Sequence, residues 1–430
     1  MAAVYGTPVY VYDLGDVRAA HAALTRALPA GSALYYSVKA NPHPGVGAVL
    51  AGLGCRAEVA STGEIDAALR AGFAPADLLL AGPGKTADTM AYALARGVRR
   101  ISVDSPEDLS RAGGHGTDVD CLLRINADRP IVGMGLTMTG TASPFGADAS
   151  WVLSRPEEFR AAGRARVAGL HLYMGTNIAD PETLFTQLAA SARLAGEVVR
   201  ALGPSPSEVD LGGGFAMPYA RSGPRPSLTG LAARLEPVIA AALPGGTLIS
   251  FESGRHLVGG CGTLLCRVLE VKPSKGRTFV ILDSGVHHLG GMSGLRRLPR
   301  VVPEPVPVGE ARRPGVLRDC VITGPLCTPL DTWADGVTLP ELRAGDLVAV
   351  PNTGAYGLTA SLIGFLGHPA PAEVLVDGGV VVSASRLELG RVDLGGSSER
   401  ALHRRAAAAP ESSRAGPAAR PGGAAVRARA

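Results

Sequence analysis

Chemistry that needs a primary amine has few candidates in this chain, because its 42 basic residues include only four lysines, Lys39, Lys85, Lys272 and Lys275. Lys272 and Lys275 lie in KPSKG, a turn, where a solvated charge is the plain reading. Lys85 follows Gly82-Pro83-Gly84 at a predicted helix start. Lys39 stands apart. It ends the apolar stretch Ala33–Val38 and precedes Ala40-Asn41-Pro42, so it marks a buried strand stopping at a loop. A lysine there is costly unless it is paired, works, or reaches solvent. Three further segments hold chemistry-bearing residues: His171 to Thr176, the triple glycine Gly212-Gly213-Gly214, and Glu252-Ser253-Gly254-Arg255.

These segments share a position in the chain's rhythm. From residue 30 to 254, short apolar runs alternate with helical patterns. The spacing predicts strands at 33–39, 56–60, 77–82, 100–104, 119–125, 167–174, 208–212 and 247–252. Helices are expected at 62–72, 85–98, 183–203 and 230–243, the first capped by Thr62 and ended by Gly72. Strand–helix alternation implies parallel pairing, and eight units favour a closed (β/α)8 TIM barrel. Barrel enzymes carry their chemistry at the C-terminal strand ends, with phosphate often bound after strands seven and eight. Lys39, the glycines, Glu252 and Arg255 all fall at such ends. A triple glycine alone is equally consistent with a plain loop. Together, an amine, a phosphate cradle, a carboxylate and an arginine are what pyridoxal phosphate requires. The long Gly/Thr-rich gap from 127 to 165 is expected to hold an active-site loop.

After residue 255 the runs become short, β-branched and broken by Gly and Pro, which predicts a C-terminal antiparallel β domain. The expected division is an N-terminal strand region at 1–28 that joins the β domain, a barrel at 29–258, the β domain at 259–397 and a tail at 398–430. The last thirty residues hold six arginines against Glu411, and almost no large apolar residue, so the tail reads as disordered. The rest of the chain carries no basic excess, which argues against a nucleic-acid partner. No apolar run is long enough for a membrane helix, and the N-terminus lacks a basic and apolar leader, so a cytoplasmic protein is expected. Six cysteines without a CxxC pair fit neither a disulfide scaffold nor a zinc knuckle.

The motifs resemble those of the fold-type III, pyridoxal-phosphate-dependent amino-acid decarboxylases, which include the diaminopimelate and ornithine enzymes and share the alanine-racemase-like barrel. The resemblance covers about residues 5–390 and rests on YYSVKAN (35–41), LGGGF (211–215), ESGR (252–255), GPLCTPLD (324–331) and GAYG (354–357), in the family's order. It implies that Lys39 forms the Schiff base with pyridoxal 5'-phosphate. Gly213, Gly214, Gly254 and Tyr356 would bind its phosphate, Arg255 the phosphate or a substrate carboxylate, and Glu252 the pyridine nitrogen. It also implies a homodimer with shared active sites, in which Cys327 donates a proton in the partner's site. For an isolated cysteine, a small buried hydrophobe would be the better reading.

Four departures bear on the substrate. Tyr173-Met174-Gly175-Thr176 stands where the family commonly has His-x-Gly-Ser, leaving Tyr173 to stack on the cofactor. Ser143-Pro144-Phe145-Gly146 lacks the lysine of Ser-Lys-Phe-Gly, which leaves the substrate-site role of Asp331 open. Thr328 replaces the acid that meets a distal amino group, and SGVHHLGGMSGLRRL lacks Arg-Pro-x-x-Tyr. His287 and His288, read as strand neighbours, would point to opposite faces and not chelate a metal. GPLCTP, the double histidine and FLGHPAP are similar to a narrower group, the natural-product decarboxylases acting on an aminoacyl group tethered to an acyl-carrier protein, as in butirosin formation. The alternatives are a decarboxylase of free diaminopimelate and, in another class, a non-catalytic partner-binding paralogue.

Overall fold

The computed structural model describes residues 1–128, 140–203, 205–290, 302–309 and 313–394, with the backbone of 136 and 137. The expected tail and most of the segment after His288 lie outside the described residues. After a first strand, β1 (Val9–Asp13), eight strands form a closed parallel barrel: β2 (Ala33–Ser37), β3 (Arg56–Val59), β4 (Leu78–Leu80), β5 (Arg100–Val103), β6 (Val119–Asn126), β7 (Ala165–Leu172), β8 (Glu208–Asp210) and β9 (Leu248–Ser253). Closure comes from β9, where Ser250 pairs with Ala33 and Ser253 with Tyr36. Tyr35, Leu79 and Leu122 come from alternate strands β2, β4 and β6 and form one buried cluster, the layered filling expected inside such a barrel.

Short polar caps set where the strand-to-helix turns end. Ser61 accepts from the Glu64 amide, and Glu64 reaches back to the Ala60 N–H. This reciprocal arrangement resembles a capping box and starts the helix Thr62–Arg70. The cap is thus Ser61 rather than Thr62, which occupies the first helical position. Gly72, at φ +95°, ends the helix in a conformation that side-chain-bearing residues disfavour. The same Ser-x-x-acid pattern recurs at Ser105 and Asp108.

A second sheet is built from β10 (Gly262–Ser274), β11 (Arg277–Leu282), β12 (Val316–Thr323), β13 (Thr332–Pro340), β14 (Leu347–Pro351), β15 (Ala372–Asp377) and β16 (Val380–Arg386), with β1 inserted between β10 and β15. It is mixed rather than antiparallel. β1 runs parallel to β15, and β11 runs parallel to β12. Parallel neighbours require a long connection, and β1 comes from the far end of the chain while β11 and β12 are separated by residues 283–315. β1 pairs with β10 antiparallel and with β15 parallel. KPSKG is a hairpin turn, with Lys275 at φ +48° and Gly276 at +81°.

Candidate active site

Lys39 leaves β2 two residues after its end, in a single turn of 3₁₀ helix, Val38–Ala40. Its side chain is 46% exposed, opening to the barrel mouth, and its Nζ donates to both oxygens of Glu58 at 2.9 and 3.0 Å. Burial disfavours the ammonium, but Glu58 and Glu252 outweigh that cost and hold the amine above its ordinary range. Lys85 offers no competing amine. It is buried against Asp104, Asp108 and the Gly82 carbonyl.

The glycines lie where backbones meet. Gly212 and Gly214 have φ of +77° and +100°. A Cβ at Gly213 would lie 2.1 Å from the Glu252 carbonyl oxygen, and one at Gly254 would lie 2.7 Å from Ala40 Cβ. Gly254 therefore lets the end of β9 close onto the Lys39 turn. Tyr356 is drawn to the same place: at φ +54°, its N–H donates to the Ala40 carbonyl at 2.7 Å. Arg255 stands over the Tyr356 ring at 4.7 Å, and its Nε is buried without a partner. Tyr173 lies against Gly213, hydrogen-bonded to Thr176, with burial foremost in pushing its hydroxyl up to about 12.

Glu252 is buried, with its Oε1 3.2 Å from His171 Nε2. Burial works against its charge, but His171, Lys39 and Arg124 prevail and hold the carboxyl down at about 2. The Ser102 hydroxyl meets His171 Nδ1 at 2.8 Å. Neighbouring Asp210 shows the opposite shift: burial and then the Glu252 charge push it well above the usual carboxylate range. Glu58, Arg124 and Asp210 were not singled out from the sequence, and His171 was named only as the start of a strand-end segment, with no role. The signal was available as ionisable residues inside the buried runs RAEV, GLHL, LLRIN and EVDL.

The β domain supplies a separate group. Cys327 is exposed on the turn between β12 and β13. No hydrogen bond, ion pair or ring contact joins it to the Lys39 cluster among the described residues. The Thr328 hydroxyl accepts from the Leu330 N–H, and Leu330 is exposed. Asp331 is buried and accepts the Val286 and Leu326 amides, each at 2.8 Å. Its oxygens thus tie the cysteine loop to the 285–286 turn. His287 and His288 lie in a turn, not a strand, so their rings do not diverge; the centroids are 3.6 Å apart.

The donor set fits pyridoxal phosphate. An amine projects into the mouth, the buried carboxylate of Glu252 stays charged, and the buried Arg255 Nε and Ser253 Oγ lack hydrogen-bond partners. Residues 14–259 match the profile of the family described as "Pyridoxal-dependent decarboxylase, pyridoxal binding domain". The chain belongs to this family. The decarboxylase is 31% identical over 381 residues to the L-glutamyl-[BtrI acyl-carrier protein] decarboxylase of Niallia circulans, covering 86% of this chain and 89% of that protein. It is 30% identical to the diaminopimelate decarboxylase of Zymomonas mobilis, over 88% of this chain and 89% of that one. A structure of Helicobacter pylori diaminopimelate decarboxylase complexed with L-lysine superposes with a TM-score of 0.77 at 25% identity, covering 87% of this chain and 92% of the other. The decarboxylase is thus an enzyme with pyridoxal phosphate as its cofactor, and the partner-binding alternative falls. No helix among the described residues is long and apolar enough to cross a membrane.

Proposed function

We propose that the decarboxylase removes the α-carboxylate of an L-amino acid held as an acyl group on an acyl-carrier protein, in natural-product assembly. The observation that carries this is Thr328. It puts an uncharged hydroxyl, which accepts from the Leu330 amide, beside Cys327. A distal ammonium brought there would find no counter-charge from that residue, and a buried unpaired charge costs several kcal/mol. A carrier-bound acyl group has no such requirement. The match to the Niallia circulans carrier-protein enzyme supports the same reading.

Bound at this mouth, pyridoxal phosphate supplies an aldehyde for amine capture and a pyridinium that accepts the electron pair left as CO2 departs. Lys39 would hold its aldehyde carbon, with Glu58 placed to take the proton the amine releases. Glu252, remaining a carboxylate, would keep the pyridine nitrogen protonated. Gly213, Gly214, Gly254, Arg255 and the Tyr356 hydroxyl would bind the phosphate, and Tyr173 would stack against the ring. Cys327 would protonate the product carbon in the site of a second subunit. Its exposure beside exposed Leu330 suits a homodimer contact. Unpaired cysteines throughout the described chain suit a cytoplasmic enzyme.

The second reading, a free-diaminopimelate decarboxylase, is favoured by relatives of that name at comparable identity. The comparison that decides is kcat/KM for glutamyl-type carrier thioesters against free diaminopimelate. A preference for the thioester on the order of 100-fold or more is expected. Efficient turnover of free diaminopimelate, with none of the thioesters, would reject the carrier reading and leave the decarboxylase assignment standing.

A further inference from the structure

Lys85 and the Ser143-Pro144-Phe145-Gly146 segment lie outside the proposed cofactor contacts, yet Asp104 joins them. The Lys85 side chain is 1% exposed, and its Nζ lies 3.1 Å from Asp104 Oδ2 and 2.8 Å from Asp108 Oδ2. The Gly82 carbonyl also accepts from Nζ. Asp108 is held by Arg111, whose guanidinium donates to its Oδ1 at 2.9 Å and to the Lys85 carbonyl at 3.1 Å. The ammonium is therefore pinned between the ends of β4 and β5. One oxygen of Asp104 faces Lys85, and the other faces away. That second oxygen, Oδ1, accepts the Gly146 N–H at 2.7 Å.

Gly146 lies directly on the end of β6. It has φ +77°, and a Cβ there would meet the Asn126 amide nitrogen at 2.9 Å. Asn126 secures the flanks of the loop by accepting the Gly140 N–H and donating to Asp148. The residue before Gly146 carries the consequence. The Phe145 ring lies 4.7 Å from the Arg124 guanidinium. Arg124 in turn stands 6.0 Å from the Tyr173 ring and helps hold Glu252 charged. A buried cation outside the catalytic cluster thus connects, through one carboxylate and one backbone amide, to the wall of the barrel mouth.

We propose that Lys85 is a positioning residue: through Asp104 it fixes the 143–146 loop, which seats Phe145 against Arg124 and so orients Arg124 and Tyr173 at the site. The inference concerns the loop and holds whatever acyl substrate is used. Fixed orientation matters because displacement of about 1 Å at a reacting centre costs about 100-fold in rate.

The test is a double-mutant cycle on the cofactor-loaded, full-length enzyme, with hydrogen exchange followed in the peptide containing Gly146. Lys85→Met is expected to speed exchange in that peptide and lower kcat/KM about 10- to 100-fold. Phe145→Ala is expected to lower kcat/KM by a similar factor without touching the Lys85 cluster. The double variant should be no worse than about 3-fold below the poorer single variant, since both disable one path. A merely structural Lys85 would give effects that multiply. Multiplicative losses, or unchanged exchange around Gly146 in Lys85→Met, would overturn the proposal. Should Lys85→Met not accumulate as folded protein, Asp104→Asn replaces it in the same cycle, with the same two outcomes deciding.

Discussion

The two ends of the barrel satisfy their buried polar atoms to different degrees. At the N-terminal end, Glu208 receives the Tyr35 hydroxyl at 3.0 Å and Arg56 at 3.2 Å, with Arg100 3.4 Å away. Every charge there has a partner supplied by the chain. At the C-terminal end Glu252 Oε1 has only His171 Nε2 at 3.2 Å, and Ser253 Oγ and Arg255 Nε are buried with no hydrogen-bond partner. Unsatisfied buried polar atoms cost free energy, so a fold retains them where something else completes them. The contrast separates residues whose partners the chain supplies from residues with hydrogen-bonding capacity left over, and it follows the barrel's polarity.

The largest effect that could break this division is at Lys39. Lys39→Ala is expected to abolish turnover, together with the borohydride-reducible chromophore near 420 nm. Peptide mapping that placed the reduced adduct on Lys85 would reverse the assignment, although the salt-bridged burial of Lys85 stands against it.

Matched substitutions sharpen the contrast. Glu252→Gln should lower kcat about 100-fold, by analogy with removing one preorganised electrostatic contact. Glu208→Gln should cost about 2 kcal/mol of stability, less than a fully buried pair because both guanidinium groups reach solvent, and leave kcat within about 2-fold. The reverse pattern would sink the division. The pH dependence of Glu252 follows from its depressed folded pKa. Its charged form is favoured in the fold, so that stabilisation is complete above the unfolded value near 4.3 and is lost as pH falls toward 2. Loss of activity between pH 5 and 7 must therefore come from another group.

A smaller effect tests whether the mouth is completed by a second subunit. Mixing Lys39→Ala with Cys327→Ala chains, with exchange confirmed, should restore about a quarter of wild-type activity. Half of randomly paired two-fold dimers are hybrids, and each has one intact site. No recovery would place Cys327 outside the shared site.

Much of this arrangement was legible along the chain. Eight apolar runs at barrel spacing foretold eight strands to within about two residues at each end, the usual uncertainty of such boundaries. Lys39 stood out because an amine follows Ser37 and Val38 at a strand end, and Gly212 to Gly214 and Glu252 fell at equivalent ends. The sequence therefore determined the barrel and where along it an amine, glycines and a carboxylate would stand, because hydrophobic periodicity and strand polarity are local properties that each segment carries by itself. It did not determine the direction of β1 and β11, whose pairing partners lie far away in the chain. Nor did it determine that Glu58 would clasp Lys39, that His171 would hold Glu252 charged while burial and that charge push Asp210 the other way, or that Asp331 would tie two turns together. Those outcomes depend on distances of about 3 Å between residues remote in sequence, and on burial that shifts each group's proton affinity, so only the closed barrel and its packed sheet decided them.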